Sequence, residues 1–270
     1  MKKIDQIWIN EHVHHRPLEG HKKTFGHILV IAGSVGKSGA AILCARAALH
    51  AGCGMVTVMI PQEAIAPLLA QSPELMYTTQ SDLKLLDLTQ FDAIAIGPGV
   101  GFSDLIKKNL FYLLNEYKGP LVIDADGLSI LADHLELIKP NFILTPHPGE
   151  FERLQGFKYE ADKRETQAND FIENNPCVLV LKGANTIVAS EKDIMFNTTG
   201  NDGMATAGTG DVLTGVITAL CAQHYDLRIA ASIGVYLHGL AGDLAIQDMS
   251  KASLVASDII KYLGKTRIID

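Results

Sequence analysis

The sequence predicts an α/β fold in which a mostly parallel central sheet is flanked by helices on both faces, and three observations predict it. Short apolar, β-branched runs recur along the 270 residues with helix-like stretches between most of them. That is the rhythm imposed by parallel strands joined through crossover helices. Glycine and proline fall at the ends of those runs, where they punctuate elements instead of breaking them. No composition shift, long polar linker or internal repeat divides the chain, so residues 1–270 read as a single domain.

The elements follow in order. The runs His27 to Ala32, Met55 to Ile60, Asp92 to Ile96, Leu121 to Asp124, Phe142 to Thr145 and Val178 to Lys182 are short and continuously apolar, as strands buried on both faces are. Thr186 to Ala189 and Ile194 to Phe196 flank the charged turn Glu191-Lys192-Asp193 and read as a hairpin at one sheet edge. Asp211 to Ala222 and Arg228 to Gln247 read as two long apolar helices.

A composition of 47% hydrophobic and 20% charged residues suits a globular protein with a sizeable buried core. The net charge of -7 opposes non-specific attraction to nucleic acid or an anionic membrane, so a small-molecule partner is expected. Polar and charged residues follow Lys2 and Lys3 closely, leaving no signal-peptide core. No stretch approaches the roughly 20 apolar residues of a membrane span, and a cytoplasmic setting is the expectation. Cys44, Cys53, Cys177 and Cys221 lie in apolar surroundings without CxxC spacing and read as small hydrophobes. His12, His14 and His15 cluster, but nothing else of ligand type adjoins them, so they read as a solvated N-terminal segment.

In open α/β sheets, ligands bind beyond the carboxyl ends of the strands. Here those positions are rich in glycine and polar groups: Gly33 to Gly39, Gly97 to Gly101, Asp124-Ala125-Asp126, Thr145 to Glu150, and Lys182-Gly183. All are expected to gather on one rim. Gly36-Lys37-Ser38 is not a Walker loop, because the required earlier glycine is Ile31. The Gly97, Gly99, Gly101 series is not a dinucleotide fingerprint, because Phe102 stands where its last glycine belongs. Both loops read either as tight strand-to-helix turns or as places where a ligand approaches the backbone closely.

The most informative stretch runs from Asn197 to Asp211, straight into an apolar helix. A glycine-rich turn there aims backbone N–H groups outward at a helix N-terminus, which favours an anion, and phosphate is the natural ligand. Asp211 suits a helix cap, but the small residues Gly208 and Gly210 before it also admit a substrate, whose hydroxyl proton a carboxylate can accept. Asp124 and Asp126 read as water-mediated Mg²⁺ holders, as acid-base groups, or as a helix cap with its neighbour. His147, held between two prolines, reads as a ligand contact. Glu150 reads as a cap or as a group reaching a metal or a phosphate-bound water, and Lys182 as a phosphate contact or a snorkelling cation.

In order along the chain, His21-Lys22 with Gly26, Gly33-Ser34, Gly39-Ala40-Ala41, Ile96-Gly97-Pro98-Gly99, Asp124-Ala125-Asp126, Leu144 to Phe151, Leu181-Lys182-Gly183 and Asn201 to Asp211 resemble the ADP/ATP-dependent (S)-NAD(P)H-hydrate dehydratase family. That family is a branch of the ribokinase-like fold, and the resemblance runs from about His21 to the C-terminal helices. It implies repair of the S epimer of hydrated NADH and NADPH (NADHX and NADPHX): the hydroxyl is phosphorylated from ADP, or from ATP in some members, and phosphate is then eliminated. Carried over by position, Asp211 is the catalytic aspartate, with the amides of Gly208, Thr209 and Gly210 stabilising the transferred phosphoryl. Lys182, Gly183, Ala184, Asn185, Thr186 and Gly210 contact the nucleotide. Ala40, Ala41, Gly99, Gly101, His147 and Asp211 contact the hydrated cofactor. Mg²⁺ bridges the phosphates, with Asp124 and Glu150 as candidate ligands. Lys23 departs from the family's usual glycine and Gly127 from its frequent second small residue, both away from the implied chemistry. The resemblance further implies a homo-oligomer and a separate NAD(P)H-hydrate epimerase as pathway partner, since 270 residues leave no room for the epimerase domain fused in many relatives. The rival readings are a ribokinase-like kinase of a small alcohol metabolite and a non-catalytic nucleotide sensor.

Overall fold

The computed structural model describes residues 2–79 and 81–269. The chain runs β1 (Lys2–Ile4), α1 (Gln6–His12), β2 (His27–Ile31), α2 (Ser38–His50), β3 (Met55–Met59), α3 (Ile65–Gln71), β4 (Met76–Thr78), β5 (Ala93–Ile96), α4 (Asp104–Glu116), β6 (Leu121–Ile123), α5 (Ala125–Leu131), β7 (Phe142–Leu144), α6 (Pro148–Gln155), α7 (Arg164–Asn174), β8 (Val178–Leu181), β9 (Ile187–Ala189), β10 (Ile194–Asn197), α8 (Thr209–Ala222), α9 (Leu227–Ala245) and α10 (Ala256–Leu263). The strands form one sheet in the order β1-β10-β9-β8-β7-β6-β5-β2-β3-β4. Only β9 runs antiparallel to its neighbours, against β8 and β10.

Alternation along each strand divides the core between the two faces. In β2, Ile28 and Val30 point to the layer of α2, α8, α9 and α10, while Leu29 and Ile31 point to the layer of α4 to α7. Val178/Val180 and Leu179/Leu181 split β8 in the same way. Between these layers neither face of the central strands meets water, which is why their sequences lack polar alternation. Helix α8 is buried from Val212 through Ala222 and lies against α2 so closely that a methyl on Gly215 would stand 2.0 Å from the Cys44 carbonyl oxygen. Glycine is therefore required at that crossing.

Several boundaries differ from expectation. Ala32, Ile60, Asp124, Thr145 and Lys182 leave the sheet one residue early, because the carboxyl ends bend into the loops of the rim. The hairpin forms, but β1 pairs in parallel outside β10, so the hairpin is not the edge. Helix α8 starts at Thr209, capped by Gly208 in the left-handed region (φ 89), so Asp211 lies inside the first turn and does not cap it. In the histidine cluster His14 and His15 are exposed, as a solvated segment requires, although His12 stacks on Trp8 and His14 on Tyr225, whose hydroxyl accepts from the His14 backbone N–H at 3.0 Å.

Candidate active site

The glycine loops after β2 and β5 are tied together at the rim. The Gly33 N–H donates to the Pro98 carbonyl at 2.7 Å and the Ser34 hydroxyl to the Gly99 carbonyl at 2.8 Å. Gly97 passes so close to Asp124 that a methyl there would overlap the Asp124 carbonyl oxygen at 1.8 Å. The loop therefore closes over the head of β6, as only glycine at φ 131 allows. Ala40, half-buried, faces Gly99. Ala41 is sealed in the core, its side chain supporting Gly33.

At the centre stands a cluster of opposed charges. Asp124, 1% exposed, accepts from Lys182 Nζ at 2.8 Å and from Thr214 Oγ1 at 2.7 Å. Asp124 stands at the N-cap position of α5, but its side chain makes no capping bond there and turns to Lys182 and Thr214 instead. Lys182 Nζ also lies 3.8 Å from Glu150 Oε2. Burial works against the ammonium, yet the surrounding carboxylates, Asp124 foremost, outweigh it and raise its pKa. Lys182 is thus a fixed cation, neither snorkelling nor free. A methyl on Gly210 would sit 3.3 Å from its Nζ, so the ammonium lies directly beside the first turn of α8.

Asp211 occupies that turn. Burial, and next the charge of Asp124, push its carboxyl up from 3.8 to about 6, with Lys182 opposing and Asp126 and Glu150 adding to the rise. Among the described residues no side chain caps α8, so its leading amides are open to an anion.

Two hollows flank this cluster. One, of about 460 Å³, is lined by Lys182, Gly183, Ala184, Asn185, Thr186 and Gly210, every residue expected to contact the nucleotide, and closed by the loop after β10 and by α9. The other, about 500 Å³ and more open, is lined by Asp126, His147, Glu150 and Arg153 among others. Asp211 feels Lys182 on the wall of the first and Asp126 and Glu150 on the wall of the second, so it is within electrostatic reach of both.

His147 has a double position. Its Nδ1 accepts from the N–H groups of Gly149 and Glu150 at 3.0 and 3.2 Å, and Glu150 Oε2 accepts from the His147 N–H at 2.8 Å, a capping box at the start of α6. With Nδ1 accepting, the ring proton sits on Nε2, which borders the second hollow as a donor. Asp126 accepts from the Gly101 N–H at 2.8 Å and lies 3.6 Å from Lys37 Nζ, so it orients the glycine loop.

These features are those of a known family. A family model described as NAD(P)H-hydrate dehydratase matches residues 28–265. The chain belongs to the NAD(P)H-hydrate dehydratase family. It is 37% identical to the bifunctional NAD(P)H-hydrate repair enzyme of Moorella thermoacetica, over 96% of this chain and 52% of that one; the chain spans about half the length of such relatives. The solved ADP/ATP-dependent NAD(P)H-hydrate dehydratase from Bacillus subtilis, co-crystallised with ATP/Mg²⁺, superposes with a TM-score of 0.90 at 30% identity, covering 99% of this chain and 98% of that one. The fold is ribokinase-like: a ribokinase-like superfamily protein from Enterococcus faecalis superposes with a TM-score of 0.88 at 26% identity, covering 100% and 96%.

Sequence reasoning missed two groups of the candidate site. Thr214 lies one turn beyond Asp211 on the same face of α8, and its hydroxyl is the second partner of Asp124. His238, on α9, lines the first hollow; its Nε2 is sealed from solvent without a hydrogen-bond partner among the described residues, and burial drives its pKa down to about 4, leaving the ring neutral. The signal for both was a polar residue at helical spacing within an otherwise apolar helix.

Proposed function

We propose that the protein is a dehydratase of the S epimer of hydrated NADH and NADPH that uses ADP, or ATP, as phosphoryl donor. The observation that carries this reading is Asp211 in the open first turn of α8, within electrostatic reach of Lys182 on the wall of one hollow and of Asp126 and Glu150 on the wall of the other. The donor lies along residues 182–186 with its terminal phosphoryl against the amides of Gly208, Thr209 and Gly210. The hydrated nicotinamide lies between Gly99, Ala40 and His147.

Asp211 takes the proton of the C6 hydroxyl, whose oxygen attacks the terminal phosphoryl, and AMP leaves when the donor is ADP. The C6–O bond then breaks with its electron pair leaving on phosphate, assisted by the ring nitrogen, and loss of a C5 proton restores the dihydropyridine. Phosphorylation matters because hydroxide is a poor leaving group and phosphate a good one. The α8 amides and Lys182 stabilise charge on the transferring group without reorganisation.

Among the described residues no cluster of metal-binding side chains forms a cage. That suits Mg²⁺ carried mainly by phosphate oxygens and water, where it neutralises phosphate charge. Asp124 has both oxygens engaged, so Glu150, whose Oε1 lies 3.5 Å from His147 Nε2, is the better candidate contact. A homo-oligomer, an NAD(P)H-hydrate epimerase as pathway partner and a cytoplasmic setting complete the proposal. The four cysteines, all free and buried, are compatible with a reducing compartment.

The test is incubation of chemically hydrated NADH with the protein, Mg²⁺ and ADP, ATP or no nucleotide. Recovery of the dihydronicotinamide absorbance only with nucleotide, with matching phosphate release, is expected. No recovery with either nucleotide overturns the reading.

A further inference from the structure

One wall of the nucleotide hollow is the loop joining β10 to α8, with a single 3-10 turn at Asp202–Met204. A loop keeps one shape only where something offsets its conformational entropy, and here the C-terminal half of α9 does so along its length. Asn197 Nδ2 donates to the Val235 carbonyl at 3.1 Å and Thr199 Oγ1 to the Tyr236 carbonyl at 2.8 Å. One turn on, the backbones touch: a methyl on Gly239 would stand 2.7 Å from the Thr199 carbonyl carbon, and one on Gly242 2.3 Å from the Met204 sulfur. Asp243 closes the contact with both carboxylate oxygens, Oδ2 accepting from the Gly200 N–H at 2.8 Å and Oδ1 from Asn201 Nδ2 at 2.9 Å. Asn201 Oδ1 in turn accepts from the Gly203 N–H at 3.0 Å, which fixes the way its amide faces.

We propose that Asp243 is a positioning residue for nucleotide affinity: by holding Gly200 and Asn201 it sets the wall against which the phosphoryl donor binds. It does not itself line the hollow, whereas Gly200 and Asn201 do. The inference rests on the reading of that hollow as the donor site. Its signature is a split: nucleotide affinity falls, while kcat at saturating nucleotide and KM for the hydrated cofactor hold, because Asp211 and the His147 hollow are fixed by other contacts.

The experiment measures Kd for ADP and for ATP with Mg²⁺ by calorimetry, beside steady-state turnover. In Asp243→Asn the one remaining oxygen can accept from Gly200, and the new amide then meets the Asn201 amide donor to donor. Kd is expected to rise about tenfold, as for loss of a charge-assisted hydrogen bond, with kcat within about twofold of wild type. An Asp243→Asn variant whose Kd stays within about twofold of wild type, or whose kcat falls along with its nucleotide affinity, overturns the proposal. If Asp243→Asn does not fold, Asp243→Ala replaces it, since a helix favours alanine and the change removes both acceptors; an unchanged Kd there overturns the proposal equally. A wild-type protein that binds nucleotide without converting hydrated cofactor refutes the reaction and leaves the Kd comparison standing, whereas one that binds no nucleotide removes both.

Discussion

Replacing Asp211 with asparagine is expected to remove activity and raise stability together, and the two effects have one electrostatic cause. The folded protein holds the Asp211 carboxyl at about 6, against an ordinary value of 3.8, chiefly through burial and then through the neighbouring Asp124. A raised folded pKa means that the native state disfavours the ionised form. The group's favourable contribution is present below the unfolded value, near pH 4, and is lost as pH rises through about 6. A shift of about two units corresponds to an upper bound of about 3 kcal/mol of destabilisation once the carboxylate is ionised. Asparagine keeps the shape and removes the charge. At pH 8, Asp211→Asn is therefore expected to be more stable by up to about 3 kcal/mol, or roughly 5 °C in Tm. At pH 4 the gain disappears. Turnover falls about 10² to 10⁴-fold, the cost of losing a general base. Urea denaturation at both pH values, beside the hydrated-cofactor assay, measures all three quantities. A variant no more stable than wild type at pH 8, or one whose stability difference does not change with pH, refutes the electrostatic account of this site.

The pH profile of kcat/KM should fall on its acid side with an inflection at about 6, where Asp211 becomes protonated and cannot accept the hydroxyl proton; a flat profile down to pH 5 counts against Asp211 as the base. Thr214→Val deletes one of the two hydrogen bonds to buried Asp124 and should cost about 1 to 3 kcal/mol in chemical denaturation. Thr214→Ser should recover most of that loss. Chelation of divalent metal should abolish turnover yet leave the Tm of the nucleotide-free protein unchanged, since no all-protein metal cage exists among the described residues.

The central strands could be read from the sequence because burial on both faces makes each a continuous apolar run; the end strands could not. Lys2–Ile4 and Met76–Thr78 are too short to show a period, and they pair in parallel with distant partners that a local reading does not see. Asp211 at the open head of α8 was legible because glycine crowding before an apolar helix has a direct physical meaning, whereas residues 182–186, which line one hollow, were singled out by the family resemblance. His147 was half legible: its setting between prolines pointed to a ligand contact, whereas its Nδ1 capping of α6 depends on a backbone geometry visible only in three dimensions. Thr214 and Asp243 lie in helices that read as plain core, and their functional partners, Asp124 and the Gly200 turn, are remote in sequence.

The charges around Asp211 also decide how the donor enters. Among the described residues, Asp124, Asp126, Glu150 and Asp211 have Lys182, Lys37 and Arg153 as neighbouring cations, and the two lysines are already paired, with Asp124 and Asp126. A nucleoside diphosphate thus meets a site biased against further negative charge. The α8 dipole offers about half an elementary charge in compensation, less than the diphosphate carries. The remainder has to arrive with the nucleotide, which makes a divalent cation a condition of productive binding as well as of phosphoryl transfer. The same excess of carboxylate lifts the pKa of Asp211 to about 6.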